Sequence, residues 1–126
     1  MIYHITTRTD WQQAQQQGHY SASSLADEGF IHCSTLSRVT QVANAFYTGQ
    51  ENLLLLAINT AQLTAPLKWE APAHPADHDT ATDALPDDAN LFPHVYGAIN
   101  LDAVERVLDF PPGSDGHFQL PPAIHL

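Results

Sequence analysis

At 126 residues, with 44% apolar residues and 4 Lys and Arg against 14 Asp and Glu, the chain can form one packed interior and carries a formal charge of -10. Such a length matches a single domain of about 100 to 150 residues, 1–126, and the charge opposes approach to phosphate backbones or anionic lipid, so neither nucleic acid nor a membrane is an expected partner. One cysteine, Cys33, rules out an intrachain disulfide. The first residues read as a strand rather than as the charged and apolar segments of a leader, which makes the cytosol the expected compartment.

In chain order, Met1 to Thr6 reads as a strand. Thr9 and Gln12 have the spacing of a capping box and Gly18 that of a stop, which predicts a helix from about Asp10 to Gln17. His19 to Leu25 has Ser-rich turn chemistry, and Phe30 to Ser34 is a second strand. Val39, Val42, Ala43 and Phe46 recur at helical spacing, with Thr35 or Ser37 as cap and Gly49 beyond the end. Leu53 to Asn59 is an apolar run of the kind buried on both faces, too short at this length for the roughly 20 residues of a membrane span. Leu67 to Ala71 is a further strand, with Trp69 opposite Lys68 and Glu70. Residues 72–91 hold three prolines, five aspartates and two histidines and read as an acidic loop insertion. Strands near Val95 to Ile99 and Val104 to Phe110 follow, and 111–126 is a turn-rich tail without a motif. The expected class is α+β, with about six strands and two main helices.

Three histidines sit in apolar, strand-like segments: Tyr3-His4-Ile5-Thr6, Gly29-Phe30-Ile31-His32-Cys33-Ser34 and Phe92-Pro93-His94-Val95-Tyr96-Gly97. Thr6, Thr7, Ser34 and Tyr96 add neutral hydrogen-bonding groups beside them. A lone histidine of this kind is most often a structural residue, but three such segments point to a ligand site. No HxH, HExxH or CxxC pair fixes two metal ligands, His74 and His78 are flanked by proline, and no metal is expected, although a three-histidine centre stays an alternative. Neighbouring side chains on a strand point to opposite faces, so if His32 faces a cleft Cys33 is a buried thiol. Neither a Gly-x-Ser-x-Gly elbow nor a Gly-rich phosphate loop occurs.

These segments resemble a bacterial family known only as a domain of unknown function, number 952 in its series, through Tyr3 to Thr6, Trp11, Ser24-Leu25, Glu28 to Ser34, Val42 to Tyr47, Leu53 to Ile58 and Phe92 to Gly97. That family looks like a distant relative of the ADP-ribosyltransferase fold and its RNA 2'-phosphotransferase branch. The resemblance implies a split, mixed sheet of about six strands around a cleft for NAD as substrate, with His4 on the adenosine-side ribose and His32 at the second-strand position. Glu70 and His94 compete for the third, catalytic position. His32 and Tyr96 would line the nicotinamide side, Glu70 would stabilise developing positive charge, and Tyr3, Thr6 and Ser34 would complete the binding surface. Arg8 and Arg38 are the cations placed by sequence to meet a pyrophosphate. With so few arginines, transfer to RNA is not expected. The competing reading is a non-catalytic domain that holds a nucleotide or other metabolite in the same cleft.

Overall fold

A computed structural model describes residues 1–71 and 91–121, and the predicted insertion at 72–91 lies almost wholly outside them. β1 (Ile2–Thr7) runs straight into α1 (Arg8–Gln17). The helix begins before the expected Asp10 because Thr7, not Thr9, is the cap: its Oγ1 accepts from the Asp10 amide at 3.1 Å. Gly18 ends it at φ 87°, as the sequence predicts. β2 (His19–Tyr20), α2 (Ser23–Glu28) and β3 (Ile31–His32) follow, so the Ser-rich stretch read as a turn contains a six-residue helix, closed by Gly29 at φ 90°. α3 (Leu36–Phe46) precedes β4 (Leu53–Ile58), then β5 (Leu67–Glu70), β6 (Phe92–Val95), β7 (Ile99–Asn100) and β8 (Val104–Asp109).

The architecture is α+β, with three α-helices among the described residues rather than the two main ones expected. Among these residues every strand pairing is antiparallel, in place of the mixed sheet expected. β1-β4-β8 and β3-β6-β5 form two three-stranded sheets, and β2 and β7 pair separately. The two larger sheets meet at one bridge, where the Tyr3 amide donates to Ser34 O at 2.8 Å and the Ser34 amide to Tyr3 O at 2.7 Å. Beyond it no further strand pairing joins the two sheets among the described residues, which leaves a split between β1 and β3.

Alternation along the strands sorts the core into two layers. Ile2, Leu54, Leu56 and Ile58 pack with Trp11 and Ala14 of α1 and with Ile31, Cys33 and Val95, whereas Tyr3, Ile5, Leu53, Leu55 and Ala57 pack with Val39 and Ala43 of α3. The second layer also takes Phe110 and Phe118, so part of the tail has a structural role the sequence did not reveal. Phe118 is held by its amide donating to Asn44 Oδ1 at 2.7 Å. The strand expected over Val95 to Ile99 is divided into β6 and β7 at Gly97, where φ is 156° and an added Cβ would lie 2.9 Å from Ala65 Cβ. Only glycine passes there without displacing β5's approach.

Candidate functional site

Where β1 and β3 separate, a side chain replaces strand pairing. His4 Nδ1 donates to the His32 carbonyl at 2.6 Å, and its Nε2 lies 2.8 Å from Tyr20 Oη, which lies 3.0 Å from Thr6 Oγ1. Burial drives the His4 pKa down to about 4, so the ring is neutral at pH 7. With its one proton on Nδ1, Nε2 accepts from the Tyr20 hydroxyl, and Tyr20 in turn accepts from Thr6. Both His4 nitrogens are thus satisfied within the protein. The residue expected to orient a ribose lines the cleft with both ring nitrogens already engaged.

The split leads into a cleft of about 500 Å³ lined by Tyr3, His4, Thr6, Ser34, His32 and His94, with further walls from all three helices. Ser23 and Ser24 of α2 and Thr7 add hydroxyls; Val42, Phe46 and Tyr47, at the end of α3, and Phe92 add apolar and aromatic surface. Phe46 is 42% exposed. Backbone groups contribute as well. Since Tyr3 directs its amide and carbonyl toward Ser34, those of Ile5, two residues on, point along the same edge of β1 into the widening split.

At the other end of the cleft the two strongest motifs meet. His32 and His94 are register partners across β3 and β6, with ring centroids 5.6 Å apart and edge to face. Each has a carboxylate on one nitrogen: His32 Nε2 lies 2.9 Å from Glu28 Oε2 and His94 Nδ1 lies 2.9 Å from Glu70 Oε1. Tyr96 Oη donates to the same Glu70 oxygen at 2.5 Å. The bond from Tyr96, and then that from His94, hold the Glu70 carboxyl below its usual range, and the same contact raises Tyr96. Glu70 and His94, competitors for one position in the sequence, are a single hydrogen-bonded unit. Phe30 covers it, stacked on the His94 ring at 4.2 Å and 23°. Lys68 Nζ lies 4.8 Å from the Tyr96 ring centroid.

His94 is 2% exposed, and among the described residues its Nε2 has no hydrogen-bond partner. Leaving a buried polar atom in that state costs about 1–3 kcal/mol, a cost a ligand group could offset.

The remaining sequence candidates fall elsewhere. Arg8 pairs with Asp109 on β8 at 2.7 Å, and the Arg38 guanidinium lies 5.3 Å from the Phe92 ring centroid; neither lines the cleft. Glu70 and Tyr96 reach it only through His94. Cys33 packs in the first core layer but also lines the cleft, its thiol pKa pushed up by burial. Among the described residues no group of three His, Cys, Asp or Glu side chains could hold a metal ion, and no helix is long and apolar enough to cross a membrane. His74 and His78 lie outside the described residues.

Sequence reasoning missed Tyr20, Glu28 as a partner of His32, and Asp10, which among the described residues is the one carboxylate lining the cleft. The Glu28 to His32 spacing of four was visible, but a helix end followed by a strand gives that spacing no meaning in advance. Tyr20 lies on a two-residue strand, too short for any periodic signal.

The crystal structure of protein CC0527 from Caulobacter crescentus is similar to this chain, with 36% identity, 94% of this chain and 93% of that one covered, and a TM-score of 0.74. The solution structure of CC0527 gives 32% identity, 94% and 91% coverage and a TM-score of 0.73. No curated protein matches. A family model described as protein of unknown function, DUF952, matches residues 5–107, and the chain belongs to that family.

Proposed function

We propose that the cleft binds a ribose-bearing nucleotide of the NAD type and that the protein cleaves it at the nicotinamide–ribose bond, as the resemblance to ADP-ribosyltransferase-like proteins implies. The observation that carries this reading is His94, a buried imidazole with one unpartnered nitrogen at a cleft of about 500 Å³. That volume lies within the range of about 300–1,000 Å³ usual for small-molecule sites.

The lining suits such a substrate. Hydroxyls of Thr6, Thr7, Ser23, Ser24 and Ser34 match sugar hydroxyls, and Phe46, Tyr47 and Phe92 offer surfaces for flat rings. Among the described residues no Lys or Arg lines the cleft, which disfavours a triphosphate. The two phosphates of NAD are partly balanced by its own pyridinium and could rely on hydroxyls and the free backbone groups of β1. Bond cleavage develops positive charge on the ribose, and the protein's part is to orient the sugar, exclude water and offer negative charge. Asp10 brings a carboxylate to the cleft wall.

One observation favours a second reading, nucleotide binding without turnover: Glu70, the residue with catalytic chemistry, is committed to His94 and Tyr96 and does not line the cleft. Thermal unfolding with NAD and with ADP-ribose, followed by chromatography for free nicotinamide, separates the two. A ligand at 100 times its dissociation constant adds about 2.7 kcal/mol. Stabilisation with nicotinamide release is the expected result. Stabilisation without release leaves the binding reading, and no stabilisation by either nucleotide ends both.

A further inference from the structure

Hydrogen-bond direction at Glu70 defines what His94 presents to the cleft. Glu70 is held as a carboxylate by the Tyr96 hydroxyl and by His94, so it can only accept, and the proton in the 2.9 Å contact belongs to His94 Nδ1. In the neutral ring Nε2 therefore carries a bare lone pair. His94 lines the cleft and Glu70 does not, and with Nδ1 engaged by Glu70 the buried Nε2 is the ring nitrogen left without a partner among the described residues. Phe30, stacked on the ring face, and His32, against it edge to face, limit ring rotation. The arrangement is a carboxylate, an oriented imidazole and an unpartnered acceptor nitrogen in sequence, the order that general-base catalysis needs.

Resting on the NAD reading above, we infer that His94 Nε2 is the general base that activates the acceptor, and that Glu70 and Tyr96 are positioning residues that hold its Nδ1–H tautomer. The ribose C–N bond breaks and its electron pair leaves with nicotinamide. The acceptor oxygen forms the new C–O bond to that carbon, and its proton passes to Nε2. The imidazolium so formed is balanced by Glu70 until solvent takes the proton. This chemistry selects the acceptor class: water or a hydroxyl-bearing molecule, which brings a proton to Nε2. A carboxylate or phosphate acceptor, deprotonated at neutral pH, would set lone pair against lone pair.

The test uses ¹⁵N NMR of the histidine side chains on the whole chain, with and without ADP-ribose, alongside nicotinamide release. Wild type is expected to show His94 as the Nδ1–H tautomer, with saturating ADP-ribose moving its Nε2 resonance. Glu70→Ala should mix the tautomers and lower kcat while KM stays close to wild type, and Glu70→Gln, whose amide oxygen still accepts from Nδ1, should restore the tautomer. His94→Gln should lose about 10²–10⁴-fold in kcat. If His94→Gln does not fold, the Glu70 variants decide. An Nε2–H tautomer in wild type, an Nε2 resonance unmoved by bound ADP-ribose, or unchanged turnover in Glu70→Ala overturns the general-base role while leaving the nucleotide site in place. Failure of ADP-ribose to stabilise wild type overturns the nucleotide reading itself, and the acceptor role with it.

Discussion

In the sheet β1-β4-β8 the middle strand pairs with β1 over six residues and with β8 over five, and all six β4 residues are buried. In β3-β6-β5 the ladder to β3 is two residues long, and the groups facing one another across it are imidazoles backed by carboxylates. The first sheet is stabilised by apolar burial on both faces. The second gives up part of that burial to hold polar groups in fixed directions, as functional sites do. His4 joins them. It belongs by sequence to the first sheet, yet its Nδ1 satisfies a carbonyl of the second.

The largest effect should come from breaking the first sheet. Leu55 is fully buried in the layer against α3, and Leu55→Ala should cost about 2–5 kcal/mol in urea unfolding. Any ADP-ribose response of the folded fraction should be unchanged, because Leu55 does not line the cleft. A loss of binding in the folded fraction would mean that the two sheets are not separable in this way.

The junction should respond to pH. His4 titrates at about 4 when folded against 6.5 in the unfolded chain, chiefly because it is buried. Between those values the unfolded state holds more protons, so stability rises with pH. The contribution is complete above pH 6.5, is lost as pH falls toward 4, and amounts to about 3 kcal/mol. Urea unfolding of wild type and His4→Gln at pH 7 and pH 4.5 checks it. The variant should be less stable at pH 7 and show a smaller loss on acidification, and an equal loss in both proteins would place the pH dependence elsewhere.

The same division explains what the sequence made legible. β1, α1, α3, β4 and β8 are long enough for a period of two or 3.6 to repeat, and each was recognisable to within a few residues. β2, β3 and β7 have two residues each, and no pattern can repeat in that length. The histidine motifs pointed to a site because Gly, Pro and hydroxyl residues surround them. Their roles were not readable, because those depend on non-local register. Glu70 meets His94 only when β5 aligns on β6, with Lys68 opposite His94, across twenty-odd residues of intervening chain. The partners of His4 were unreadable for the same reason: nothing local announces that Tyr20, sixteen residues away, takes its second nitrogen.

The smallest expected effect concerns a residue that sequence placed in the site and the fold puts outside it. Arg8 opens α1 with its guanidinium 2.7 Å from Asp109, and the two side chains are 49% and 74% exposed. An exposed pair of this kind contributes about 0–1 kcal/mol. Arg8→Ala should therefore shift the urea midpoint only slightly and leave any NAD or ADP-ribose stabilisation as in wild type. A selective loss of nucleotide stabilisation in Arg8→Ala would mean that the diphosphate reaches past the cleft to the β8 side. It would also return the arginine to the role its position beside Thr6 and Thr7 suggested.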